Sequence, residues 1–202
     1  MKRFVFIIII ILILTSCSRP YDFTHETFDD VVYQPSTPFF FETTLEGLES
    51  RAANIARAHV GNDARSVFQF PDAPDPTRPQ RGHTLTSIEI TQVIKGTLAV
   101  GDTITIVEPY YIFENVLHTR SHYLPSRPGQ EYFFLLGNQL SEWAPEGYEG
   151  AYAVVNSERG RFPVPGSRAN MQNYSRKDLS LGTRANLELY MRLWQEVVNA
   201  YM

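Results

Sequence analysis

Apolar positions along this chain fall into three patterns. Phe4 to Leu14 is an unbroken apolar run, Ile55 to Val164 holds short β-rich stretches between turn signals, and the last twenty residues show helical spacing. Ile55–Val60 and Arg65–Phe70 read as one strand line broken at Gly61-Asn62-Asp63, a turn-forming triplet. Thr84–Ile94 and Thr103–Glu108 read as strands joined through Lys95-Gly96 and Gly101-Asp102. In the second, Ile104 and Ile106 share one side and Thr103 and Thr105 the other. In the first, Ile88 and Ile90 keep phase while Val93 falls out of it. Because a one-residue slip exchanges the faces, this predicts a bulge near Thr91-Gln92, and such bulges let a small sheet curl into a barrel.

Glu131-Tyr132-Phe133-Phe134-Leu135-Leu136, entered from Gly129, is apolar on both faces and needs cover on both. The cover expected outside is a C-terminal helix over 183–201, with Leu187, Tyr190, Met191, Trp194, Val197, Val198 and Tyr201 as its stripe and Thr183 as its cap. Thr44 to Arg51 predicts a short helix with Leu45 and Leu48 on one face. Gly150–Asn156 and Arg159–Val164 predict a hairpin turning at Ser157-Glu158, its second strand held to an edge by Pro163. Pro71–Gly82, Pro109–Gly129 and Gly166–Gly182 are expected to be connections. The fold class is therefore mainly β: a small barrel with a short N-terminal helix and a C-terminal amphipathic helix packed on it.

The first seventeen residues set the address. Lys2 and Arg3 precede eleven apolar residues, which as a helix cover only about 16 Å, short for a bilayer core. A basic end, a short apolar segment and small residues make a secretory signal peptide. Leu14-Thr15-Ser16-Cys17, holding the only cysteine, resembles the lipobox of bacterial lipoproteins. That resemblance implies cleavage before Cys17, a diacylglycerol on its sulfur and acylation, such as palmitate, of its amine. The expected division is a signal peptide over 1–16, a lipidated tether over 17–43 and a single domain over 44–202. Within the tether, Phe39-Phe40-Phe41 is expected to dock on the domain, since burying one such ring is worth about 1.5–3 kcal/mol.

Val93-Ile94-Lys95-Gly96 followed by Gly101-Asp102-x-Ile104 is similar to a pattern in uncharacterised extracytoplasmic bacterial proteins with a small OB-like barrel, distantly like the netrin-like domain. The likeness spans about residues 52–165. Netrin-like inhibitors that direct a free N-terminal cysteine at a metalloprotease zinc offer no parallel, because Cys17 is expected to carry lipid.

Composition narrows the partners. Formal charge is −4, and loss of residues 1–16 removes Lys2 and Arg3 but no acid, leaving −6. An acidic body disfavours nucleic acid, so membrane contact is expected through the lipid on Cys17, with the apolar stripe of the C-terminal helix as the runner-up, and a monomer is expected. No motif for a cofactor stands out. Glu114, His118 and His122, four residues apart, would line one face of a helix and hold a metal; a hydrolase using the 109–129 connection is the rival reading. There is no Gly-x-Ser-x-Gly elbow to seat a nucleophile. The chain reads instead as a non-enzymatic binding or scaffolding module at the cell envelope. The speculative ligand-binding residues are Tyr110, Tyr111, Trp143 and Tyr148, whose rings suit stacking on a glycan or peptide. Plugging the barrel ends is the alternative role for those rings.

Overall fold

The computed structural model describes residues 30–34, 41–70, 79–141, 147–182 and 185–202. The expected signal peptide, Cys17, Phe39, Phe40, Trp143 and Thr183 lie outside the described residues. The elements are β1 (Asp30–Gln34), α1 (Leu45–Arg51), β2 (Asn54–Val60), β3 (Arg65–Gln69), β4 (Arg81–Lys95), β5 (Thr103–Glu108), β6 (Tyr110–Phe113), β7 (Val116–Arg120), β8 (Glu131–Gln139), β9 (Tyr152–Val154), β10 (Arg161–Pro163) and α2 (Leu187–Tyr201). Among the described residues no helix is long and apolar enough to cross a membrane.

Five strands close into a barrel in the order β8-β2-β4-β5-β9, because β9 pairs with both β5 and β8. Only the β5–β9 contact in this ring is parallel. The protein is thus mainly β, an OB-like barrel flanked by a short helix and a C-terminal one. β4 is its spine. One edge of β4 takes β2 from Lys95 to Ile88 and then β3 from Leu85 to Arg81, so β2 and β3 form the single broken line that the turn triplet predicts. Asp63 fixes the break by accepting from the Ser87 amide and hydroxyl at 2.9 and 2.8 Å.

The predicted bulge is present at Thr91, and Ile94 adds a second. Together they turn Ile88, Ile90 and Val93 into the barrel while Ile94 packs outside with the helices. Gly96 follows at φ 103°, and a Cβ there would stand 2.1 Å from Asn54 Oδ1. That oxygen accepts from the Thr97 amide at 2.9 Å, so only glycine fits the turn.

β8 divides its side chains between two cores. Tyr132, Phe134 and Leu136 fill the barrel, whereas Phe133 and Leu135 meet α2. Trp194 and Tyr190 of α2 also donate to the carbonyls of Pro163 and Arg161, both at 2.7 Å, which seats the helix against edge strand β10. α1 begins as expected: Thr44 accepts from the Gly47 amide, and Lys95 Nζ satisfies the Glu49 and Ala52 carbonyls near its end. α2 starts at Leu187 rather than 183, capped by Asn186, whose side chain accepts from the Leu189 amide.

Two stretches depart from the sequence-based expectation. Gly150–Val164 is not a hairpin: β9 and β10 lie in succession along β8, separated by the 3-10 turn Ser157–Gly160. Asn156 and Ser157 take left-handed φ values of 60° and 54°, which loop the chain out without reversing it. The 109–129 connection is not a plain loop. It folds into the β6–β7 hairpin over a Glu114-Asn115 turn with φ 48° and 60°. β1, from the expected tether, joins it in parallel to make a second sheet, β1-β7-β6.

Candidate functional site

Alternation along the second sheet gives it two unlike faces. Val31, Tyr110, Ile112 and Leu117 pack with Tyr123 and Leu124 into a small core. The opposite face presents Asp30, Val32, Tyr111, Phe113, Val116 and His118 to an open cavity of about 300 Å³, bordered also by Pro79 and Glu114. Rings make one side of this groove. Tyr111 and His118 stack at 4.6 Å between centroids with planes 2° apart. Phe68 of β3 meets Tyr111 and Phe113 edge-on at 5.9 and 5.7 Å, and half-exposed Phe70 lies 6.2 Å beyond it.

The array is fixed from behind. Gln34 Nε2 donates to the Tyr111 hydroxyl at 3.0 Å, and a Cβ on Gly82 would come within 2.5 Å of the Tyr111 ring. Burial lowers the His118 pKa, so its ring is neutral at neutral pH. Among the described residues the cavity is lined by two carboxylates, Asp30 and Glu114, and by no lysine or arginine. Arg120, two positions along β7 on the same face, is charged close enough to His83 that, after burial, it and Arg81 bring the His83 pKa down to about 4.

Of the aromatic residues singled out in the sequence, Tyr111 alone borders the groove, and only about 2% of its surface is exposed. Tyr110 is buried in the small core behind the sheet. Tyr148 is buried against Leu85 and Ala151, its hydroxyl 3.2 Å from His83 Nδ1. These two rings are packing, not presented surface. Trp143 lies outside the described residues.

Glu114, His118 and His122 do not converge, because their stretch is a hairpin and not a helix. Glu114 sits in the turn and His118 on the groove face, whereas His122 lies 5.5 Å from the ring of Tyr33, which belongs to the other face. Among the described residues no group of three or more His, Cys, Asp or Glu is placed to hold a metal.

A second polar constellation lies behind the sheet. Glu108 and Arg161, both fully buried, approach to 3.6 Å. Glu108 Oε1 accepts from the Tyr123 hydroxyl, the Ser126 amide and the Ser126 hydroxyl at 2.7, 3.1 and 2.5 Å. Its other oxygen accepts from Thr86 Oγ1 at 2.5 Å. Arg161 donates to the Leu124 and Ser180 carbonyls and to Ser126 Oγ, with its guanidinium 4.1 Å from the Tyr123 ring centroid. Burial pushes the Tyr123 hydroxyl well above its ordinary pKa, so it remains a donor to Glu108. Ser126 Oγ is thus held by both charged groups and sealed from solvent, which suits anchorage and not nucleophilic attack. Nothing in the sequence reading singled out this pair, yet Glu108 keeps phase with Ile104 and Ile106, an acid in a core register.

No protein-family profile matches this chain, and comparison with curated proteins finds no similar sequence.

Proposed function

We propose that this chain is a lipid-anchored extracytoplasmic lipoprotein, tethered through Cys17, whose OB-like domain is a non-enzymatic binding module at the cell envelope. The lipobox-like Leu14-Thr15-Ser16-Cys17 supports the anchor. The observation that carries the binding role is the open groove on the second sheet, with Tyr111, Phe113 and His118 on one side and two carboxylates at its rim. Concave sites of about 300–1,000 Å³ that combine aromatic walls with a few polar groups are what small ligand segments occupy. The groove also opens on β1, the strand through which the tether enters the domain, so ligand and anchor act on one element.

The test uses the natural protein extracted from membranes with detergent. Its intact mass should start at Cys17 and include a diacylglycerol and an amide-linked acyl chain. Immobilised, it should retain fragments from an envelope digest that a Val32→Arg variant, whose groove is filled, releases. A protein that begins at Met1 and partitions into the soluble fraction overturns the anchor. Equal retention by both proteins overturns the groove as the binding site.

A further inference from the structure

Taking that groove as the ligand site, we infer that its occupant is the lysine or arginine side chain of an extended basic peptide. Three observations meet here. The reachable rings are half-buried His118, whose far side lies flat on buried Tyr111, and half-buried Phe113. A cationic head over such rings is attracted by the ring quadrupole, and its aliphatic stem packs on their apolar surface. The rim carries Asp30 and Glu114, and among the described residues no lysine or arginine lines the cavity, so the charge complement these residues set is positive. Asp30 is exposed and accepts from the Val31 amide through one oxygen at 2.7 Å.

The third observation selects a peptide over a small free amine. β1 stands at the end of the sheet order β1-β7-β6, and among the described residues its only strand partner is β7. Within the described residues that other edge carries no strand, so its backbone donors and acceptors stand beside the cavity for an added one. An extended segment laid along such an edge gains main-chain hydrogen bonds while alternate side chains drop into the adjacent pocket. A neutral sugar ring would use the aromatic wall but leave both carboxylates without a counter-charge.

Titration of the full-length detergent-solubilised protein with fluorescent probes tests this, read by anisotropy. The probes are a hexapeptide alternating alanine and lysine, its glutamate counterpart, and chitohexaose in its fully N-acetylated, neutral form. The lysine peptide should bind and the other two should not. Exchanging Asp30→Asn with Glu114→Gln should weaken it about tenfold, a loss sized by two surface ion pairs. Both positions are exposed, so these variants should keep the melting temperature. If chitohexaose binds, is lost in Val32→Arg and ignores the double charge variant, the groove stands and the cationic occupant is wrong. If the lysine peptide binds equally to Val32→Arg, or no probe binds at all, the inference fails together with the groove on which it rests.

Discussion

The Arg161 guanidinium lies 3.6 Å from the Glu108 carboxylate, and neither side chain has any exposed surface. β5 ends at Glu108, β10 begins at Arg161, and their shared partners Ser126 and Tyr123 lie on the chain that leaves the second sheet. The pair therefore rivets the barrel to the sheet that carries the groove. Removing one member leaves an uncompensated buried charge, which costs about 3–5 kcal/mol. Glu108→Leu or Arg161→Met alone should lower stability by that amount in urea denaturation. The double variant should recover part of it, with a coupling of roughly 0.5–3 kcal/mol. Strict additivity of the two losses would mean that they do not act as a pair.

Tyr148 serves the core. With about 3% of its surface exposed, its ring fills the small cluster with Leu85 and Ala151. Tyr148→Ala should cost roughly 3 kcal/mol, in line with loss of a buried aromatic ring. Calorimetry should show the drop, while binding of the lysine peptide measured well below the new melting temperature should be unchanged. Loss of binding without loss of stability would return Tyr148 to the ligand.

Peptide affinity should fall as pH drops below the ordinary histidine value of 6.5, because His118, its pKa lowered by burial, gains a proton in that range. The groups on its face of the sheet are Asp30 from β1, Glu114 from the turn, Tyr111 from β6 and Arg120 from β7. A charged imidazole beside the two carboxylates repels an incoming cation and competes for its counter-charge. His118→Phe keeps the stack and should abolish this decline. Superimposable pH profiles for the two proteins would exclude His118.

Glu158 carries a different pH signature. It is buried, and burial raises its pKa above the ordinary 4.5, against the opposing charges of Arg159 and Arg161. From pH 4.5 upward the unfolded chain releases this proton while the native one keeps it. Stability from this residue is therefore present at low pH and declines as pH rises toward its native pKa. Glu158→Gln should remove that decline, so that urea midpoints of variant and parent diverge as pH rises from 4.5. Parallel curves would place the Glu158 carboxylate in water.

Where side chains had one decisive environment, the pattern of the chain revealed it. The double apolar face of β8 foretold both the barrel core and the cover by α2, and the phase slip before Val93 foretold the bulge. The second sheet escaped because its hairpin turns on Glu114-Asn115, not on a glycine pair. Its alternation was nonetheless present, with Tyr110, Ile112, Leu117 and Thr119 on the inner face. β1 was unreadable for another reason: five residues within an expected tether become a strand only when β7 is there to pair with. The groove arises where these separate segments meet, so local spacing such as that of Glu114, His118 and His122 pointed to a helix face that never forms. Ser157-Glu158 likewise read as a reversal, and only the left-handed backbone of Asn156 and Ser157 shows a detour along one edge of β8.

The groove as the seat of the ligand is tested most directly by amide hydrogen exchange on the full-length protein in detergent, with and without saturating lysine peptide. Exchange should slow at Asp30–Gln34, Tyr110–Phe113 and Val116–Arg120, and hardly change elsewhere. Protection confined to the barrel ends around 97–102 and 147–151, with β1, β6 and β7 unaltered, would contradict it.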